Sequence, residues 1–217
     1  MFKKLSVFIV AMVLLMSTAL ANGTEVGVNA DTAKQMLIDG NQRFVTEKHA
    51  DINIGQMRRE ELTKGQHPFA IVVSCSDSRV PPELVFDEGL GDLFVIRTAG
   101  EVVDDVALGS IEYAVEHLGV KLVVVLGHEE CGAVKATIAG GEVPGHIVAI
   151  AKAITPAVNQ AKMKKGDLLS NSVKANVDMI VAKLNASEPI IKEKIEKDHV
   201  KVVGAVYELQ TGKVVFR

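Results

Sequence analysis

The chain has 217 residues, 48% of them hydrophobic and 24% charged, a balance that supports a buried core and excludes a disordered or fibrous polymer. Its 24 basic and 27 acidic residues leave a formal net charge of −3, and with 4% aromatic residues and no Trp it offers no basic stripe interleaved with aromatics, so no nucleic-acid partner is expected. Two cysteines exclude a disulfide-rich scaffold but leave one bridge open, Cys75 to Cys131.

The first element is a targeting segment. Met1-Phe2-Lys3-Lys4, the apolar run Val7 to Met16 and the small-residue pattern Ala19-Leu20-Ala21 predict a secretory signal over residues 1–21. The apolar run is half the ~20 residues that a membrane-spanning helix needs, so no membrane anchor is expected once the signal is removed. Cleavage near Asn22 takes away Lys3 and Lys4, leaving 22 basic against 27 acidic residues, a net charge of −5. The expected location is secreted, in the bacterial periplasm.

Residues 22–217 then read as a single catalytic domain. Asp31 to Phe44 predicts an amphipathic helix, an N-terminal arm capped by the pair Asp31-Thr32 and weak at Gly40. A second helix is expected over Gln56 to Lys64, ending at Gly65, after which Pro68 turns the chain into a buried strand, Phe69 to Ser74. Further strands are expected at Asp92 to Arg97 and Lys121 to Leu126, separated by a helix from Asp105 to Leu118. Helices follow at His146 to Lys162, bent at Pro156, and at Asn171 to Leu184, where Val173, Val177, Ile180, Val181 and Leu184 form one apolar stripe. A hairpin of Lys201 to Leu209 and Lys213 to Phe216 closes the chain. Strands alternating with helices predict an α/β fold with a central, mainly parallel sheet flanked by helices.

Chemistry concentrates at two strand ends. In such a sheet, ligands bind beyond the carboxyl ends of the parallel strands. Cys75 follows the first strand and His128-Glu129-Glu130-Cys131 follows the third, so two thiols and an imidazole converge on one rim. Zn²⁺ takes sulfur and nitrogen ligands tetrahedrally, and three protein ligands with an open fourth position describe a catalytic site. Asp77 lies two residues from Cys75, close enough to be a fourth ligand or to accept a proton from metal-bound water; Arg79 can hold its carboxylate bidentately. The bland alternative makes Asp77 and Arg79 a surface ion pair or a cap for a helix after Pro81-Pro82. The remaining histidines, His49, His67, His117, His146 and His199, have no ligating company in sequence.

These segments resemble the β-class carbonic anhydrases. The likeness rests on CSDSRVPPE at Cys75 to Glu83, GDLFVIRTAG at Gly91 to Gly100, GSIEYAVEHLGV at Gly109 to Val120 and GHEECGAV at Gly127 to Val134, with KGQHP before the first strand and VYELQTGKV near the end. It implies zinc on Cys75, His128 and Cys131, with the catalytic pair Asp77 and Arg79 and with Asp77 as fourth ligand in a closed form. It further implies that Gln66 donates a hydrogen bond to the substrate, that Phe94 and Tyr113 form an apolar wall, and that the pocket is completed across a homodimer or a dimer of dimers. The implied reaction is hydration of carbon dioxide to bicarbonate by hydroxide generated on zinc. Hydrolysis of carbon disulfide or carbonyl sulfide on the same fold, or zinc binding without catalysis, are the alternatives. The family often has Asn at one or both of the positions held by Thr98 and Glu101, and Glu129 stands where Ser is common. Val72 replaces a Trp on which some members build a regulatory bicarbonate site, so that site is expected to be absent and Asp77 to lie off the metal near neutral pH.

Overall fold

The computed structural model describes residues 27–142 and 144–217; the signal peptide expected over residues 1–21, with its cleavage near Asn22, lies outside the described residues. In chain order the elements are α1 (Ala30–Val45), α2 (Gln56–Leu62), β1 (Ala70–Cys75), α3 (Pro82–Val85), β2 (Leu93–Thr98), a 3₁₀ turn (Ala99–Glu101), α4 (Asp105–His117), β3 (Leu122–His128), α5 (Gly132–Ala139), α6 (Ile147–Ala161), α7 (Leu168–Asn185), α8 (Ile190–Asp198), β4 (Lys201–Tyr207) and β5 (Val214–Phe216).

The strands form one sheet in the order β2-β1-β3-β4-β5, parallel except for β5, which pairs antiparallel with β4. β1 and β3 are the central strands and are buried along their whole length, which is why both read as unbroken apolar runs rather than as alternation. Side chains of a strand alternate between faces, and the two cores divide accordingly. Ile71, Val73, Val123 and Val125 pack under α4 to α8, while Ala70, Val72, Leu122 and Val124 pack under α1 and α3. Among the described residues, no helix is long and apolar enough to cross a membrane.

The α/β architecture agrees with the sequence, and the departures have physical causes. The cap of α1 is Asn29, whose Oδ1 accepts the Thr32 N–H at 2.9 Å, with Asp31 already inside the first turn. Gly40 does not weaken α1. A Cβ there would lie 1.9 Å from the Phe86 carbonyl oxygen, so the glycine lets the helix seat directly on backbone. Pro156 sits inside a continuous α6, held by the buried side chains Ile154, Ala157 and Val158 around it. β1 includes Cys75 as its last residue, and α7 starts earlier than expected, at Leu168, capped by Asp167. The short α3, α5 and α8 had no clear sequence signal; α8, for example, buries Ile191 alone.

Candidate metal centre

Parallel pairing brings the ligand set together. β1 and β3 are neighbours, so Cys75 and His128, each the last residue of its strand, stand side by side at the carboxyl rim. A tight turn through Glu129 and Glu130, the latter at φ 56°, then delivers Cys131 to the N-terminus of α5. One ligand atom from each of Cys75, His128 and Cys131 lies within 4.8 Å of the others, and all three residues are buried. Both thiols are free, so the disulfide alternative is not what this fold adopts.

The donor set fits a thiophilic divalent cation. His128 Nδ1 is 2.7 Å from the Glu129 carbonyl oxygen, which places a proton on Nδ1 and a lone pair on Nε2. Nε2 is buried and has no hydrogen-bond partner among the described residues, an arrangement that costs free energy unless a cation takes the lone pair. The Cys75 thiol is lowered, chiefly because Cys131 hydrogen-bonds to it and in spite of burial, with the nearby His128 ring and then the backbone amides of Gly100 and Asp77 adding to the effect. Cys131 is raised by the same hydrogen bond and by burial. A thiolate–thiol pair of this kind gives up its remaining proton when a cation binds.

Asp77 and Arg79 meet as the spacing predicted. The guanidinium donates to the carboxylate from Nε at 2.9 Å and Nη2 at 2.7 Å, and the Arg79 backbone N–H adds a third bond at 3.0 Å. Arg79 holds the Asp77 carboxyl well below the usual carboxylate range, so it is an acceptor only. Asp77 Oδ2 stands 3.8 Å from His128 Nε2, beside the ligand set rather than within it. The helix-cap alternative fails, since α3 starts at Pro82 without any side-chain cap.

Two further groups shape the site and were not singled out by sequence. Arg97, at the end of β2, donates from Nε to the Cys75 carbonyl at 3.0 Å and from Nη2 to the Asp77 carbonyl at 2.6 Å, clamping the loop that carries both. Gly100 donates its backbone N–H to Cys75 Sγ at 3.3 Å. Both lie in the RTAG segment, which marks the strand end but not the atoms that matter.

Gln66, Phe94 and Tyr113 are not brought to the cluster within one chain. Gln66 is exposed on the loop before β1, and Phe94 pairs with Ile71, at the amino end of the sheet, whereas Cys75 pairs with Thr98 at the other. Four residues of strand separate these levels, about 13 Å at ~3.3 Å per residue. Phe94 and Tyr113 do form a unit, with ring centroids 6.4 Å apart and Tyr113 48% exposed.

A family model described as carbonic anhydrase matches residues 70–214, which include every residue of the cluster. The carbonic anhydrase of Mycolicibacterium smegmatis is 42% identical over 193 residues, covering 87% of this chain and 94% of that protein. Carbonic anhydrase 2 of Mycobacterium tuberculosis is 40% identical over 193 residues, covering 87% of this chain and 93% of that protein. Among solved structures, the β-carbonic anhydrase of Coccomyxa in complex with acetazolamide is similar with a TM-score of 0.68 at 27% identity, covering 83% of this chain and 84% of that one.

Proposed function

This chain belongs to the β class of carbonic anhydrases, lyases that hydrate carbon dioxide reversibly to bicarbonate and a proton, and we propose that it does so with zinc held by Cys75, His128 and Cys131. The observation that carries the zinc assignment is the buried, partnerless His128 Nε2 within 4.8 Å of two free thiols. Bound there, zinc would make a water molecule more acidic and would thereby supply hydroxide near neutral pH.

The chain's own residues then do the rest. Asp77, ionised and fixed by Arg79, presents Oδ2 beside the cluster as a hydrogen-bond acceptor, which orients an O–H there. Arg79 keeps that carboxylate from becoming a fourth ligand, and Arg97 fixes the loop from behind. Gln66 supplies a hydrogen bond to the substrate, and Phe94 with Tyr113 supplies the apolar wall that an uncharged linear molecule requires. Because these three stand toward the amino end of the sheet, away from Cys75, a second copy of the chain delivers them; the working unit is a homodimer or a dimer of dimers. The basic and apolar leader sequence supports export and a periplasmic location for the mature enzyme.

The test is stopped-flow carbon dioxide hydration with a pH indicator, on the zinc-loaded mature chain beside Cys131→Ser, at pH values about one unit either side of 7.5. Zinc-dependent hydration that the substitution abolishes is the expected result. No hydration at either pH, with zinc verified in place, would overturn the assignment.

A further inference from the structure

The Gly100 amide that meets Cys75 Sγ sits in an awkward turn. Gly100 lies at φ 67° and the next residue, Glu101, at φ 45°, two successive left-handed residues of which the second has a side chain. Backbone of this kind persists when surrounding contacts hold it. Here the hold comes from α7, far away in sequence: Asn176 Nδ2 donates to the Gly100 carbonyl at 2.9 Å and to Glu101 Oε1 at 2.9 Å. Both side chains are buried, at 1% exposure each.

The same pair reaches the other ligand strand. A Cβ on Gly127 would lie 3.3 Å from Glu101 Oε1 and 2.5 Å from Val177 Cγ2, so the carboxyl rests against the backbone immediately before His128. Glu101 therefore lies between the turn that touches Cys75 and the strand end that carries His128, with Asn176 tying both to α7.

We propose that Glu101 and Asn176 are positioning residues, a buried bracket that aims the Gly100 N–H at Cys75 Sγ and so sets how strongly that thiolate donates to the metal. The inference rests on the zinc reading above and deepens it. Among the described residues, Glu101 Oε2 and Asn176 Oδ1 are both buried without a hydrogen-bond partner. Burial, first of all, pushes the Glu101 carboxyl up to about 7, against the Asn176 hydrogen bond and with the help of the Cys75 charge. Its protonated form spares the ligand set a third buried negative charge beside its two thiolates.

The experiment loads the full mature chain with Co²⁺ and reads the thiolate-to-cobalt charge-transfer band, together with metal retention against a chelator, for wild type, Asn176→Ala, Glu101→Gln, Glu101→Ala and the remote core control Ile191→Ala. Outer-sphere partners of metal ligands typically change affinity by ~10–100-fold. Asn176→Ala and Glu101→Ala are expected to shift the band and to weaken retention about tenfold or more. Glu101→Gln keeps a donor and an acceptor in place and is expected to preserve both readings, as is Ile191→Ala despite its loss of stability. If Asn176→Ala does not fold, the Glu101 pair decides: Gln behaving like Ala, or Ala behaving like wild type, overturns the proposal. A wild-type chain that shows no thiolate charge transfer at all would instead refute the metal assignment itself.

Discussion

If the pocket is shared between two chains, two impaired variants that damage different halves must complement one another. Cys131→Ser removes a ligand at the carboxyl rim, while Gln66→Ala removes the substrate hydrogen bond from the opposite end of β1, at an exposed position where nothing in the core is lost. The structure sets the separation: the Phe94 level and the Cys75 level are four strand residues apart, about 13 Å, too far for side chains of one chain to converge on a three-atom substrate. One hydrogen bond contributes about 1–1.5 kcal/mol, so the Gln66→Ala homodimer is expected to hydrate carbon dioxide roughly tenfold more slowly. The Cys131→Ser homodimer should be inactive. In a heterodimer of the two, purified through two different affinity tags, one site combines an intact ligand set with an intact Gln66 and the other carries both defects. Stopped-flow activity near half that of wild type per dimer is therefore expected, against about one-twentieth for the mean of the two parents. A heterodimer no faster than that mean would refute the shared pocket and return Gln66 to its own chain or to no role.

Three further outcomes follow from packing and charge. Gly100→Ala forces a side chain into left-handed backbone, where its Cβ meets Ile154 Cδ1 at 2.6 Å and Ala133 Cβ at 3.1 Å; urea unfolding should show a loss of about 2–4 kcal/mol with weakened metal retention, and a loss under ~0.5 kcal/mol would contradict the geometry. Gly40→Ala would gain up to ~1 kcal/mol on helix propensity alone, but its Cβ, 1.9 Å from the Phe86 carbonyl oxygen, should reverse the sign to a loss of about 3 kcal/mol by the same assay. Glu88 has its carboxyl pushed up to about 7, first by burial and then by Asp92, so wild-type stability should fall as pH rises from the unfolded value of ~4.3 toward 7, because ionisation is easier in the unfolded chain. Glu88→Gln removes that cost and should gain up to about 3 kcal/mol over wild type at pH 8 relative to pH 4 in urea unfolding; an equal difference at both pH values would rule it out.

The ligand triad was legible because Cys75 and His128 sit at the ends of apolar runs that read as buried strands, with Cys131 one short turn beyond His128, and parallel strands side by side leave no choice of rim. Asp77 and Arg79 were legible from spacing alone, since two residues place both on one loop beside Cys75. What was not legible depends on contacts across the fold. Gly40 reads as a defect in α1 until Phe86 is seen against it. Arg97 reads as the last charged residue of a strand, and only the β1–β2 pairing turns its guanidinium onto the Cys75 and Asp77 carbonyls. Asn176 offered one faint signal, an amide set between Val173, Val177 and Ile180 on a mostly apolar stripe, one turn after the buried Ser172.

That signal has a general physical content here. A buried amide on a core-facing stripe loses its water and must recover the hydrogen bonds inside, so its presence announces a polar partner from another element. For Asn176 the partner is a turn with a buried carboxyl of its own, Glu101. An Asn at position 101 would keep a donor and an acceptor but is shorter by a methylene, and the reach from the turn to α7 would have to close by that much. Glu101 instead spans the gap at full length, its Oε1 accepting from Asn176 Nδ2 at 2.9 Å. It is thus one solution to a fixed requirement: holding the Gly100 amide on a thiolate from a distant helix.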